Sequence, residues 1–178
     1  MADDNVKFEL EQAQDGSAVN ALIAQAFGPG RFAKTAERLR EGRQAVPGLS
    51  YVARQGGGIV GCVLLWPIRI GETPALFLGP FAVDAGHRDK GLGIALIRHA
   101  CDGAAAAGHR LVLLIGDAPY FARAGFEVAK GVIMPGPVDP RRTLLRALRD
   151  GASLGVEGFV SPDNRKASLE VTVRGPKP

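Results

Sequence analysis

The sequence has few cysteines, few aromatic side chains and no long apolar run. Only two cysteines occur among 178 residues, which excludes a disulfide-rich scaffold. Cys62 and Cys101 both fall at apolar positions, as expected of inert core thiols, and neither has metal-ligand spacing with the three histidines, so no metal is expected. No stretch has the length of a membrane span, and residues 2–5 are too polar for a signal peptide, which predicts a cytoplasmic protein without membrane contact.

Aromatic residues make up only 6% of the chain, so few side chains are available to stack on nucleic-acid bases. The formal net charge is +4, which could indicate nucleic-acid binding. However, the basic residues are scattered, and no basic stripe alternates with stacking side chains. A mild positive field around a polyanionic small molecule explains the charge, so no nucleic-acid partner is expected.

The composition is that of an ordinary globular protein, with 46% hydrophobic and 22% charged residues. We predict one domain over residues 1–150 and a C-terminal extension over 151–178, packed on the same domain with its last residues frayed. Nothing in the sequence separates a monomer from a homodimer.

Hydrophobic periodicity predicts a mixed α/β fold with a mostly antiparallel central sheet flanked by helices. We expect strands over 7–12, 49–54, 59–70, 75–83, 111–115 and 126–134, with 156–160 and 169–173 as further candidates, and helices over about 15–27, 32–41 and 94–107. Asp139 and Pro140 predict the start of one more short helix, whose apolar stripe is Leu144, Leu145 and Leu148. Trp66 is expected in the core.

The stretch Arg88-Asp89-Lys90-Gly91-Leu92-Gly93 stands between the strand over 75–83 and the helix over 94–107. A helix start exposes unpaired N–H groups at the positive end of the helix dipole, and glycines let a ligand approach the backbone closely. This arrangement is typical of a phosphate-binding loop.

Two common phosphate loops do not fit this stretch. A P-loop needs Gly-Lys followed by Ser or Thr, but here Lys90 precedes Gly91, and Ile94 follows the second glycine. A dinucleotide-binding fingerprint needs a third glycine three residues after the second, where this chain has Leu96.

The same stretch resembles motif A of the GCN5-related N-acetyltransferases (GNAT), Arg/Gln-x-x-Gly-x-Gly after a strand ending in Val-Asp. Further along, Gly116-Asp117-Ala118-Pro119-Tyr120-Phe121-Ala122-Arg123-Ala124-Gly125-Phe126 resembles motif B. Together with Leu-Gly-Pro-Phe-Ala-Val at 78–83, it is similar to the YhbS-like bacterial subgroup. The likeness covers about residues 49–134, and it implies that the fourth and fifth strands splay apart.

The resemblance implies acetyl transfer from acetyl-CoA to a small-molecule or protein amine, by direct attack in a ternary complex. It also implies that the loop binds the pyrophosphate and that the fourth strand pairs with the pantetheine amides through its main chain. The cofactor-binding residues would be Phe81, Ala82, Val83, Arg88, Asp89, Lys90, Gly91, Leu92, Gly93 and Ile94.

The catalytic residues are less clearly indicated. The fourth strand has no acid, so the general base found there in some relatives is missing. Many relatives carry a tyrosine that would protonate the leaving thiolate at the position of Phe121; here Tyr120 stands one place earlier and is the candidate general acid. Asp117 is a second candidate near the cofactor, although a helix N-cap explains it equally well. A non-catalytic acyl-CoA-binding regulatory domain is therefore the alternative function.

Overall fold

The computed structural model describes residues 5–30, 34–88 and 90–164. Nine strands and four α-helices lie in these ranges. The strands are β1 (Lys7–Leu10), β2 (Tyr51–Gln55), β3 (Gly58–Ile70), β4 (Thr73–Val83), β5 (Leu111–Ile115), β6 (Glu127–Val128), β7 (Val132–Ile133), β8 (Thr143–Ala147) and β9 (Gly158–Pro162), and the helices are α1 (Gly16–Phe27), α2 (Thr35–Arg38), α3 (Leu92–Ala106) and α4 (Ala118–Ala122).

The strands form one mixed sheet in the order β1-β2-β3-β4-β5-β8-β6. All neighbours on this path are antiparallel except β4 and β5, which run parallel. β9 pairs with the end of β3 at Ile68–Ile70 and with β7 on its other side. The predicted fold class is confirmed.

Helices cover both faces of the sheet. Successive residues of a strand point to opposite faces, so an apolar strand such as β3 presents side chains to a core on each side. Val63 packs in the core beneath α3, and its neighbour Cys62 packs against α1 on the other face. The face of α3 that packs on the sheet is fully buried at Leu96, Ile97, Ala100, Cys101 and Ala104. Burial raises the pKa of Cys62 to about 12 and that of Cys101 to about 11, so both are unreactive core thiols.

The splay of β4 and β5 is the feature of the sheet that makes room for a ligand. The two strands pair only at Leu76 with Val112 and at Phe77 with Leu113. Beyond Phe77, β4 contains a bulge at Gly79–Pro80, because three steps from Leu78 to Phe81 match two steps on β3. The β5-facing edge of β4 therefore has no strand partner in the described chain from Leu78 onward.

The helix predicted after Pro140 is wrong. Asp139 does cap a turn, with its Oδ1 accepting a hydrogen bond from the Arg141 backbone at 3.0 Å, but the turn ends after one 3-10 turn. The next residues form β8, which pairs with β5 and β6. Leu144 and Leu145 then point into opposite cores, an alternation that only a strand allows.

Two smaller boundaries also differ from the predictions, and one predicted strand is not covered by the described residues. The charged helix over 32–41 is reduced to α2, with residues 31–33 outside the described chain. The strand over 126–134 is split into β6 and β7 by a turn at Gly131, whose φ is +75°. Residues 169–173 lie outside the described residues.

Candidate active site

The first turn of α3 presents free backbone donors, as the loop predicted. Gly91 is the N-cap with φ of +78°, a left-handed conformation that glycine adopts without strain, and no side chain among the described residues caps the helix. The N–H groups of Leu92, Gly93 and Ile94 precede the first intrahelical hydrogen bond, which the Ala95 N–H donates to Gly91 O at 3.1 Å. This turn can therefore bind an anionic group.

The loop before α3 is held by hydrogen bonds to its neighbours. Arg88 Nε donates to the Val83 carbonyl oxygen at 3.2 Å, which fixes the guanidinium at the end of β4. His87 lies 3.0 Å from Asp84 Oδ2 through Nδ1 and 2.6 Å from Gln55 Oε1 through Nε2. The hydrogen bond from His87 holds the pKa of Asp84 below its usual range. The loop is thus fixed both to β4 and to the β2–β3 turn.

A cleft of about 520 Å³ opens in front of this helix start, and we call it the cofactor cleft. Most of the predicted cofactor residues line it, together with Tyr120. They are Phe81, Ala82, Val83, Arg88, Gly91, Gly93 and Ile94, beside Ala26, Phe27 and Arg123. Leu92 instead packs against the core, Lys90 is exposed away from the lining, and Asp89 lies outside the described residues.

Gly93 shows that the cradle needs a residue without a side chain. A Cβ built there would lie 2.9 Å from Phe81 Cζ and closer still to the Tyr120 hydroxyl. Any side chain at Gly93 would displace these rings, which line the cofactor cleft. The uncapped helix start and Arg88 fit a pyrophosphate held mainly by backbone.

The structure places Tyr120 and Phe121 in different surroundings. Tyr120 lines the cofactor cleft with its hydroxyl beside Gly93, whereas the Phe121 ring is buried between Phe81 and Phe126, at 6.1 Å from each. Asp117 is the N-cap of α4, with its Oδ2 accepting the Tyr120 backbone N–H at 3.1 Å. The capping position expected for Asp117 is confirmed.

A second and larger cleft, of about 880 Å³, lies on the α1 side of the splay, and we call it the acceptor cleft. Its floor is the β4 bulge, where Trp66 Nε1 donates to the Gly79 carbonyl oxygen. Trp66 is half-buried and lines this cleft, so it is not the plain core residue that was predicted. Phe27 and Phe81 line both clefts, which therefore meet at these two rings.

Sequence reasoning singled out Asp117 but missed the other charged residues of the acceptor cleft. Glu11, Glu37, Asp117 and Asp139 supply carboxylates, and Lys34, Arg40 and Arg142 supply cations. They come from four separate segments that only the fold brings together. No local motif could have identified them as one site.

Two features are absent from residues 5–30, 34–88 and 90–164. No cluster of three or more His, Cys, Asp or Glu side chains in them could hold a metal ion. None of their helices combines the length and apolarity needed to cross a membrane.

Comparison with known proteins agrees with this geometry. Residues 47–128 match the family model of the acetyltransferase (GNAT) domain. The chain is 32% identical over 128 residues to the uncharacterized N-acetyltransferase YjhQ of Escherichia coli K12, covering 70% of this chain and 71% of that protein. It is 29% identical over 117 residues to the uncharacterized N-acetyltransferase YhbS of the same organism, covering 65% and 70%.

Solved structures of GNAT proteins also superimpose on this chain. YhbS of Escherichia coli in complex with CoA superimposes with a TM-score of 0.77 at 26% identity, covering 88% of this chain and 89% of that one. A GNAT family acetyltransferase of Brucella melitensis in complex with acetyl-CoA gives 0.60 at 26% identity, covering 79% and 95%. The chain therefore belongs to the GNAT family of acetyl-CoA-dependent N-acetyltransferases.

Proposed function

We propose that this protein transfers the acetyl group of acetyl-CoA to an amine by direct attack while both substrates are bound. The observation that carries the proposal is the meeting of the two clefts at Phe27 and Phe81, beside the splay of β4 and β5. A donor in one cleft and an acceptor in the other would bring the thioester and the amine together there. Holding both reactants in place supplies much of the rate in such reactions.

The unpaired edge of β4 suits the arm of the donor. From Leu78 to Val83 this edge has no strand partner in the described chain. The Gly79 and Val83 carbonyl oxygens already accept hydrogen bonds from Trp66 and Arg88, and the other main-chain groups at this edge could hydrogen-bond the pantetheine amides, as a further strand would. Backbone N–H groups of Phe81, Ala82 or Val83 could also polarise the thioester carbonyl. Phe81 packs by its side chain at the same time, because the two roles use different atoms.

The buried cysteines favour direct attack over a covalent acyl-enzyme. Both thiols are fully buried, and burial raises both pKa values, whereas an acyl-carrying cysteine needs an accessible thiolate. Tyr120 is the candidate acid for the leaving thiolate, since it is the phenol that lines the cofactor cleft. Asp117 orients that residue by capping α4. A cytoplasmic location remains a prediction.

Steady-state kinetics test the proposal. Free thiol is followed while a panel of amines is added with acetyl-CoA, and initial rates are plotted against both substrates. A ternary complex gives intersecting double-reciprocal lines, whereas a covalent acyl-enzyme gives parallel lines and contradicts direct attack.

Binding measurements separate the enzyme from the regulatory alternative. CoA present at about a hundred times its Kd should stabilise the folded protein by about 2.7 kcal/mol, with no effect of NAD or ATP. If CoA binds but no amine accelerates thiol release above the water background, the regulatory alternative holds. If CoA does not bind, both functions are wrong.

A further inference from the structure

Four carboxylates line the acceptor cleft, and three of them already have partners. Glu37 Oε2 accepts a hydrogen bond from Arg40 Nη2 at 2.9 Å. Asp139 binds Arg141 through both oxygens, and Asp117 caps α4. These three carboxylates already accept hydrogen bonds from neighbouring residues of the same chain.

Glu11 is the exception. Its backbone N–H donates to the Ser50 carbonyl oxygen at 2.9 Å, so the residue is fixed where the β1–β2 pairing ends. Its side chain is half-buried, and none of the described residues donates a hydrogen bond to its carboxylate or forms an ion pair with it. A partly desolvated charge without a partner is costly, and such groups are concentrated at functional sites.

The surroundings of Glu11 match the needs of a base. It lies on the α1 face of the sheet, the face of Cys62 and Leu64, and Leu64 lies against the β4 bulge in the cleft floor. Desolvation, and next the nearby Asp15 carboxylate, raise the pKa of Glu11. A raised pKa brings a carboxylate nearer to the working pH of a general base.

We propose that Glu11 binds the ammonium group of the acceptor and accepts its proton, which identifies the acceptor as a protonated aliphatic amine. This inference rests on the proposed function, because it assigns the acceptor to the larger cleft. It also supplies the base that β4 lacks.

The proton and electron balance is complete. The Glu11 carboxylate takes one proton from the ammonium, which leaves a neutral amine with a free electron pair. The amine nitrogen forms a C–N bond to the thioester carbonyl carbon, and the C–S bond breaks with its electron pair on sulfur. Tyr120 donates its proton to that sulfur and recovers the second proton of the nitrogen, and Glu11 returns its proton to water, so one proton is released per turnover.

The test compares Glu11→Gln with Glu9→Gln. Glu9 carries the same charge two residues earlier, in β1, but is bound to Arg54 at the surface, 3.0 Å away, and is not part of the cleft lining. With an aliphatic amine, Glu11→Gln should lower kcat by about 10²- to 10⁴-fold and abolish the acidic limb of the kcat/KM profile. Glu9→Gln should change neither, and Glu11→Asp should restore part of the rate.

Three controls keep the outcome clear. CoA affinity and the unfolding temperature of Glu11→Gln should match the wild type or exceed it, which shows that the variant is folded. An arylamine, which is neutral at pH 7, should lose much less rate in Glu11→Gln than the aliphatic amine does. Inactive wild-type protein would instead refute the proposed function itself.

The inference is overturned if Glu11→Gln keeps the rate of Glu9→Gln. It is equally overturned if Glu11→Gln raises KM alone, with kcat and the pH profile unchanged, or if Asp117→Asn rather than Glu11→Gln removes the acidic limb.

Discussion

Substituting Gly93 by alanine should separate cofactor binding from folding. The added Cβ would lie 2.9 Å from Phe81 Cζ, where carbon atoms normally stay about 3.5–4.0 Å apart, and it would also displace the Tyr120 hydroxyl. Both rings line the cofactor cleft, so we expect relief of this clash to change the shape of the cleft.

Two opposing effects set the magnitude. Overpacking of a well-packed site costs about 1–3 kcal/mol, whereas replacing glycine in a helix by alanine gains about 1 kcal/mol. The free energy of unfolding should therefore fall by at most about 2 kcal/mol. If the clash weakens the CoA complex rather than the free protein, a loss of about 1–3 kcal/mol in binding free energy corresponds to a rise in the Kd for CoA of about 5- to 150-fold.

Calorimetric titration with CoA measures the affinity, and thermal unfolding without ligand measures the stability. Gly30→Ala is the matched control, because a Cβ built at Gly30 meets no atom within 4 Å. Gly93→Val should bind CoA more weakly than Gly93→Ala. A Gly93→Ala protein with unchanged CoA affinity would refute the assignment of this loop to the cofactor.

Three other predictions follow from the same structure. Tyr120→Phe should lower kcat and remove the alkaline limb of the pH–rate profile if the phenol protonates the leaving thiolate, while CoA affinity stays near the wild-type value; an unchanged profile would contradict that role. Cys62 and Cys101 should resist alkylation in the folded protein at pH 8 and react only after unfolding, because burial raises both pKa values, as mass spectrometry of the treated protein would show. Hydrogen bonds from the Gln12 backbone and from Arg54 lower the pKa of Asp15. The ionised side chain therefore stabilises the fold above the ordinary aspartate pKa, and this stabilisation is lost as the pH falls through the lowered pKa. Asp15→Asn should unfold more easily than the wild type at pH 7, and the difference in unfolding free energy should shrink in acid.

The sequence predicted the donor side of the site better than the acceptor side. The phosphate-binding loop is one continuous segment, so its glycines and the start of α3 can be recognised locally. Glu11, Arg40 and Trp66 line one cleft only because the segments that follow β1 and α2 fold beside β3. No spacing along the chain predicts that they come together.

The error at β8 has a related cause. Asp139 and Pro140 are real N-terminal signals, and Leu144, Leu145 and Leu148 suit a helix as well as a strand. These residues form a strand rather than a helix because five residues of β8 pair with the edge of β5. Tertiary pairing of this kind overrides local propensity, and a single sequence does not show it.

The pairing of β9 with β3 has a consequence for the protein in a crowded cell. β2 covers the outer edge of β3 only as far as Val63, and β9 covers it from Ile68 to Ile70. A chain ending before β9 would present that apolar edge, with its unpaired N–H and C=O groups, to any other strand. The last described strand therefore protects the enzyme against edge-to-edge aggregation, a task separate from catalysis.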